Sequence, residues 1–120
     1  MYFNKNQIES YHINCYAVPK GADLNWNFEN RFETFPPKSA VKTEETNLNL
    51  QKISEIYPNI ESCINNRTII IFWTLMFERQ SEGAINTVIQ NLKDNPQIGT
   101  TNLILINTDK FYIEYIEEND

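Results

Sequence analysis

The chain is short of the residues from which most active sites are built. It holds one histidine, two cysteines and three glycines in 120 residues. Phosphate cradles need a glycine-rich loop that opens into a helix. Gly21, Gly83 and Gly99 stand far apart, which argues against a nucleotide enzyme of the usual kinds. Cys15 and Cys63 make neither a disulfide framework nor a zinc-ligand spacing. Both sit in apolar patterns and read as small buried hydrophobes. His12 is the sole base that a nucleophilic site has available. It lies three residues from Cys15 in an expected strand, so the two side chains point to opposite faces. His12 paired with Cys63 is the weaker alternative to a histidine on the polar face of a strand. Asp109, Glu114 and Glu117 lack the spacing and the glycine of a calcium loop. No catalytic residue, metal site or cofactor is assigned.

Long apolar runs are missing too. Nothing approaches the ~20 residues that span a bilayer. The longest strongly apolar stretch, Ile69–Trp73, is soon bounded by Glu78 and Arg79. The first residues show no basic segment followed by an apolar one, so cytoplasmic residence is expected. The sequon Asn66-Arg67-Thr68 is then a chance match.

Basic charge is scarce: 10 Lys and Arg stand against 16 Asp and Glu, a net charge of −6. A nucleic-acid binder needs cations to neutralise phosphates, and an anionic lipid surface repels an acidic chain. The deficit is uneven. Residues 1–60 carry 6 basic and 7 acidic side chains, whereas residues 61–120 carry 4 and 9. Asp109, Glu114, Glu117, Glu118 and Asp120 face only Lys110 in the last twelve residues.

What is present suits one folded domain. The apolar fraction of 41% and the length both allow a single core that buries roughly two-thirds of the unfolded chain's surface. Tyr11–Val18 alternates and is rich in β-formers, and Leu24–Phe28 alternates cleanly, so the two read as strands of a hairpin. Pro36-Pro37 forbids regular structure, and a surface loop is expected from Pro36 to Thr43. Leu50, Ile53, Ile56 and Tyr57 form a helical stripe within residues 44–57. Pro58 opens a second short helix carrying Ile60, Cys63 and Ile64. Thr68–Phe77 is apolar on both alternating faces and dense in β-branched and aromatic residues, the pattern of a buried central strand. Ser81 reads as the N-cap of a helix over residues 82–94, with Ala84, Ile85, Val88, Ile89 and Leu92 on one stripe and Asn95-Pro96 as its stop. Asn102–Asn107 and Phe111–Glu117 read as a C-terminal hairpin around Thr108-Asp109-Lys110. The expected fold is α+β: a mixed sheet, a βαβ crossover over Thr68–Asn107, and both helices layered on one sheet face.

Three surfaces are candidates for function. The carboxylates Asp109, Glu114, Glu117 and Glu118 form an anionic patch suited to a basic partner. Trp26, Phe28, Phe32 and Phe35 form an aromatic cluster of the kind that often marks a recognition surface; Trp26 and Phe28 read more readily as cover for the core, and Phe32 and Phe35, next to the diproline, as the exposed pair. Glu78, Arg79 and Ser81 follow the central strand, and the carboxyl ends of strands in open sheets are where ligands tend to bind.

The reading these features favour is a small acidic protein-binding module. An inhibitor or immunity-type protein, bacterial or phage-encoded, that neutralises a basic nuclease toxin or another nucleic-acid-handling enzyme fits them. The alternatives are an accessory subunit of a larger assembly, self-associating through a strand edge, and a small ligand-binding domain or enzyme using Glu78, Arg79 and Ser81.

Overall fold

The computed structural model describes residues 1–12, 40–43 and 48–110. The described elements are β1 (Tyr2–Asn4), β2 (Gln7–Tyr11), β3 (Val41–Lys42), α1 (Leu50–Ser54), β4 (Arg67–Trp73), α2 (Glu78–Asp94) and β5 (Thr101–Asn107). They build a five-stranded mixed sheet in the order β3-β2-β1-β4-β5. β1 runs antiparallel to both β2 and β4, while β4 and β5 are parallel and joined through α2. The expected α+β class and βαβ crossover are both present.

The sheet is begun by a hairpin that hydropathy alone does not announce. β1 and β2 meet at Lys5-Asn6, where Lys5 takes a φ of 55°, a region that favours glycine. The turn is held from outside: the Lys5 N–H donates to the Asn66 carbonyl at 3.1 Å, and the Asn6 carbonyl accepts from the Leu50 N–H at 3.0 Å. Ahead of β1, the Met1 amino group donates to the Ile70 carbonyl at 2.9 Å and the Met1 carbonyl accepts from the Ile70 N–H at 2.9 Å. β1 therefore has full partners on both sides despite its three residues.

β4 is internal to the sheet, as its apolar sequence requires, with β1 on one side and β5 on the other. Its neighbours Ile69 and Ile70 point to opposite faces and enter different cores. Ile70 packs with Phe3, Ile8, Leu50, Ile53, Ile60 and Ile106. Ile69 packs with Tyr2, Ala40, Val88 and Ile98. The first core is capped by α1 and the 3-10 helix Pro58–Cys63, the second by α2. The expectation that both helices share one face is thus corrected. A strand apolar on both faces needs cover on both, and one helical layer leaves half of it in water.

Several boundaries also differ from the sequence reading. α1 covers only Leu50–Ser54 of the expected residues 44–57, with Asn49 as its cap accepting from the Lys52 N–H at 2.9 Å; residues 44–47 lie outside the described set. Tyr57 precedes Pro58 and sits at φ −125°, ψ 84°, so the helix cannot continue into it. Ile56 is consequently exposed rather than part of the buried stripe, and Cys63 is half-buried rather than buried. Val41–Lys42 form a short strand, β3, inside the expected loop, and β2 ends at Tyr11, where the expected strand Tyr11–Val18 was to begin. Residues 13–39 lie outside the described residues, and with them the expected hairpin through Leu24–Phe28. The same is true of Phe111–Glu117, the second arm of the C-terminal hairpin. Asp109 and Lys110, read as its turn, have helical backbone. Before β5 the chain passes Gly99 at φ 86°, ψ −163°, a conformation that side chains resist.

Among the described residues two buried side-chain atoms make no hydrogen bond, the Asn102 Nδ2 and the hydroxyl of the fully buried Ser10. Leaving a buried hydroxyl unsatisfied costs about 1–3 kcal/mol. Ser10→Ala is therefore expected to hold or raise the unfolding free energy measured in urea, whereas a loss of more than about 1 kcal/mol shows a partner the hydroxyl does have.

Candidate functional site

The strand expected to run to Phe77 stops at Trp73. Thr74 turns the chain into a 3-10 helix, Leu75–Phe77, which passes directly into α2 at Glu78. Ser81 is therefore inside the helix and not its cap. Thr74 caps the 3-10 helix, its Oγ1 accepting from the Met76 N–H at 3.4 Å and its carbonyl from the Phe77 N–H at 3.2 Å, while α2 itself starts after Phe77 with no side-chain cap. Ser81 supports the same residue from the helix side, its Oγ accepting from the Thr74 N–H at 3.4 Å.

Across the sheet, the end of β5 supplies a carboxylate to this corner. Asp109 accepts hydrogen bonds from the Thr74 hydroxyl, from the Leu75 N–H at 3.2 Å and from the Asn107 side-chain amide at 3.0 Å. Its own N–H donates to Asn107 Oδ1 at 3.0 Å. The Thr108 N–H donates to the Trp73 carbonyl at 2.9 Å. The Thr74 hydroxyl, the Asn107 amide and, less strongly, the Leu75 N–H favour the charged form, and against an opposing desolvation they hold the Asp109 carboxyl below its usual range. An anion at the start of a helical segment is also favoured by the backbone dipoles that converge there. Together these bonds make a clasp between the ends of two parallel strands.

The clasp presents apolar side chains to water. Leu75 is 63% exposed, Met76 60% and Phe77 38%. None of the three belongs to either core. Glu78 and Glu82 follow on the first turns of α2, both exposed, together with the exposed Arg79. Most large apolar side chains among the described residues are buried or half-buried, so three consecutive exposed ones form a ledge that invites a partner. Phe72 and Leu105, also exposed near these strand ends, lie on opposite faces of the sheet and add apolar surface on either side.

Of the residues singled out in the sequence, Asp109 and Ser81 are brought together through Thr74, although they were read as parts of separate sites. Glu78 and Arg79 stand at the same corner on α2. Glu114, Glu117, Glu118, Trp26, Phe32 and Phe35 lie outside the described residues. Leu75, Met76 and Phe77 were missed because they continue an apolar run. The available signals were the ten-residue length of that run, long for one strand, and a threonine three residues inside its end.

His12 differs from the polar surface residue expected. It is half-buried, shares a 2.8 Å hydrogen bond from Nδ1 with the Tyr2 hydroxyl, and meets the Tyr2 ring edge-to-face at 5.4 Å. Tyr2 belongs to the core under α2, whereas Cys63 lies on the 3-10 helix capping the other face. Among the described residues no three His, Cys, Asp or Glu side chains gather to hold a metal ion, and no helix is long and apolar enough to cross a membrane. Compared with protein-family models, curated proteins and solved structures, the chain matches none.

Proposed function

We propose that this protein is a small acidic protein-binding module of the inhibitor or immunity type. It acts in the cytoplasm and docks a basic partner, such as a nuclease toxin or another nucleic-acid-handling enzyme, through the ledge at Leu75, Met76 and Phe77. The observation that carries this reading is the ledge itself: Leu75 and Met76, 63% and 60% exposed, with the partly exposed Phe77 next to them, at a hydrogen-bonded clasp beside the exposed carboxylates of Glu78 and Glu82. Apolar anchors set within a charged rim are the usual anatomy of a protein interface. The net charge of −6 selects a basic partner and speeds its approach at low salt. Glu114, Glu117 and Glu118 follow the clasp closely in the chain and add to that charge.

The ligand-site reading at Glu78, Arg79 and Ser81 gains less support. The Ser81 hydroxyl and the Leu75 N–H, two groups a small ligand would use, are engaged within the protein by Thr74 and Asp109.

The test is capture from the source cell on immobilised wild-type protein and on Leu75→Asp/Met76→Asp, at low and high salt, with the captured protein then purified and its stoichiometry measured. Expected is a basic protein, retained one-to-one by the wild type at low salt, released by high salt and lost from the double variant. A partner held equally by the double variant overturns the ledge as the docking site. Absence of any stoichiometric partner overturns the binding reading altogether.

A further inference from the structure

Apolar side chains left in water tend to fold back onto the protein, and Leu75 and Met76 stay 63% and 60% exposed. Their backbone explains why. The N–H groups of Thr74, Leu75, Met76 and Phe77 are taken in order by Ser81 Oγ, the Asp109 carboxylate, Thr74 Oγ1 and the Thr74 carbonyl. Of these acceptors, only Asp109 comes from a distant part of the chain, two residues past the end of β5. It ties the direction of the ledge to β5, which is itself in continuous parallel register with β4 from Arg67↔Thr101 to Trp73↔Asn107.

We infer that Asp109 is a positioning residue for the ledge: it fixes how Leu75, Met76 and Phe77 leave β4, and partner binding depends on its hydrogen bonds rather than on its charge at the surface. The inference rests on the binding reading above and changes the role the sequence gave this residue. Its carboxylate faces inward to Thr74, Leu75 and Asn107. A pre-formed ledge spares a partner the cost of ordering it, so the clasp contributes to affinity without touching the partner.

The two roles separate experimentally. A surface charge is screened by salt and is lost equally in Asp109→Asn and Asp109→Ala. A positioning residue acts at hydrogen-bond range. An asparagine side-chain oxygen still accepts from the Leu75 N–H, and the Thr74 hydroxyl can turn to accept from the new amide. Positioning therefore predicts that Asp109→Asn keeps most of the wild-type behaviour, and that Thr74→Val and Asp109→Ala act through one shared interaction.

The experiment measures amide hydrogen exchange at Leu75, Met76 and, as control, Ile70 in the wild type, Asp109→Asn, Asp109→Ala, Thr74→Val and the Thr74→Val/Asp109→Ala double variant. The same proteins are titrated with a synthetic amphipathic peptide of leucine and lysine, with Leu75→Asp alongside. Expected is at least about a tenfold rise in exchange at Leu75 in Asp109→Ala and in Thr74→Val, with no further rise in the double variant and no change at Ile70. Peptide affinity falls in parallel by about tenfold at low and high salt alike, and Asp109→Asn stays near wild type. Unchanged Leu75 exchange in Asp109→Ala overturns the positioning role whatever the peptide does, as does equal damage from Asn and Ala. If Leu75→Asp abolishes peptide binding while Asp109→Ala and Thr74→Val leave it intact, positioning falls and the binding reading stands. If Leu75→Asp leaves peptide binding unchanged, the ledge reading falls, and the exchange data alone decide what Asp109 holds.

Discussion

Replacing Phe3 by alanine is expected to remove about 3–5 kcal/mol of folding free energy. That is a large share of the roughly 5–15 kcal/mol a domain of this kind possesses. Phe3 has no exposed surface and sits on β1, in the middle of the described sheet. Its core neighbours come from β2, α1, the 3-10 helix, β4 and β5, so one cavity loosens almost every element on that face. β1 has only three residues and cannot close the gap by shifting register, because Tyr2, Phe3 and Asn4 are paired on both sides. The loss should appear as a lower urea midpoint with little change in slope. A loss below about 1 kcal/mol would show that the core on the α1 face is not packed as described. Leu75→Ala supplies the contrast: at 63% exposure it should change stability by no more than about 0.5 kcal/mol.

The second large effect is a rise in stability between pH 6 and 8 for a chain whose amino terminus is Met1. Burial pushes the Met1 ammonium down to about 6 from an ordinary 8.0. Between those values the unfolded chain binds a proton that the folded chain rejects, so stability increases with pH. The effect is complete above about pH 8 and lost below about pH 6. A shift of that size corresponds to roughly 2–3 kcal/mol. Acetylation of the amino group leaves an N–H able to donate to the Ile70 carbonyl and removes the charge. Denaturation of free and acetylated protein across this range checks the account. The difference between the two forms should widen toward low pH, with the acetylated form the more stable. Parallel curves would contradict the burial of this group.

These two residues also show where sequence reading stopped. Phe3 and Tyr2 lie in a strand of three residues, too short to display a period, and their burial follows from β2 and β4 pairing on either side. β4 was legible because Ile69, Ile70 and Ile71 are apolar on alternating faces, and α2 because Ala84 and Val88 recur at helical spacing. The doubly apolar strand also held the correction to the layering, since it demands helices on both faces. The cap expected of Ser81 is not there: α2 starts earlier, after Phe77, with no side-chain cap, and Thr74 caps the 3-10 helix that leads into it. Thr74 is in turn bound by Asp109, 35 residues beyond it in sequence. The ledge was hidden for the same reason. Thr74-Leu75-Met76-Phe77 continues the hydropathy of β4, and only a long-range carboxylate turns it into exposed surface. Acidity was legible as composition, but the inward role of Asp109 was not, because charge counts carry no direction.

The central claim is that an apolar ledge, held by the clasp and rimmed by carboxylates, binds a basic protein. Calorimetric titration of the purified partner into wild type and Leu75→Asp, at low and high salt, tests it most directly. The account predicts one-to-one binding that weakens with salt, and a loss of at least about thirtyfold in Leu75→Asp, the scale of a central interface anchor. Equal affinity of the two proteins at both salt concentrations would contradict it.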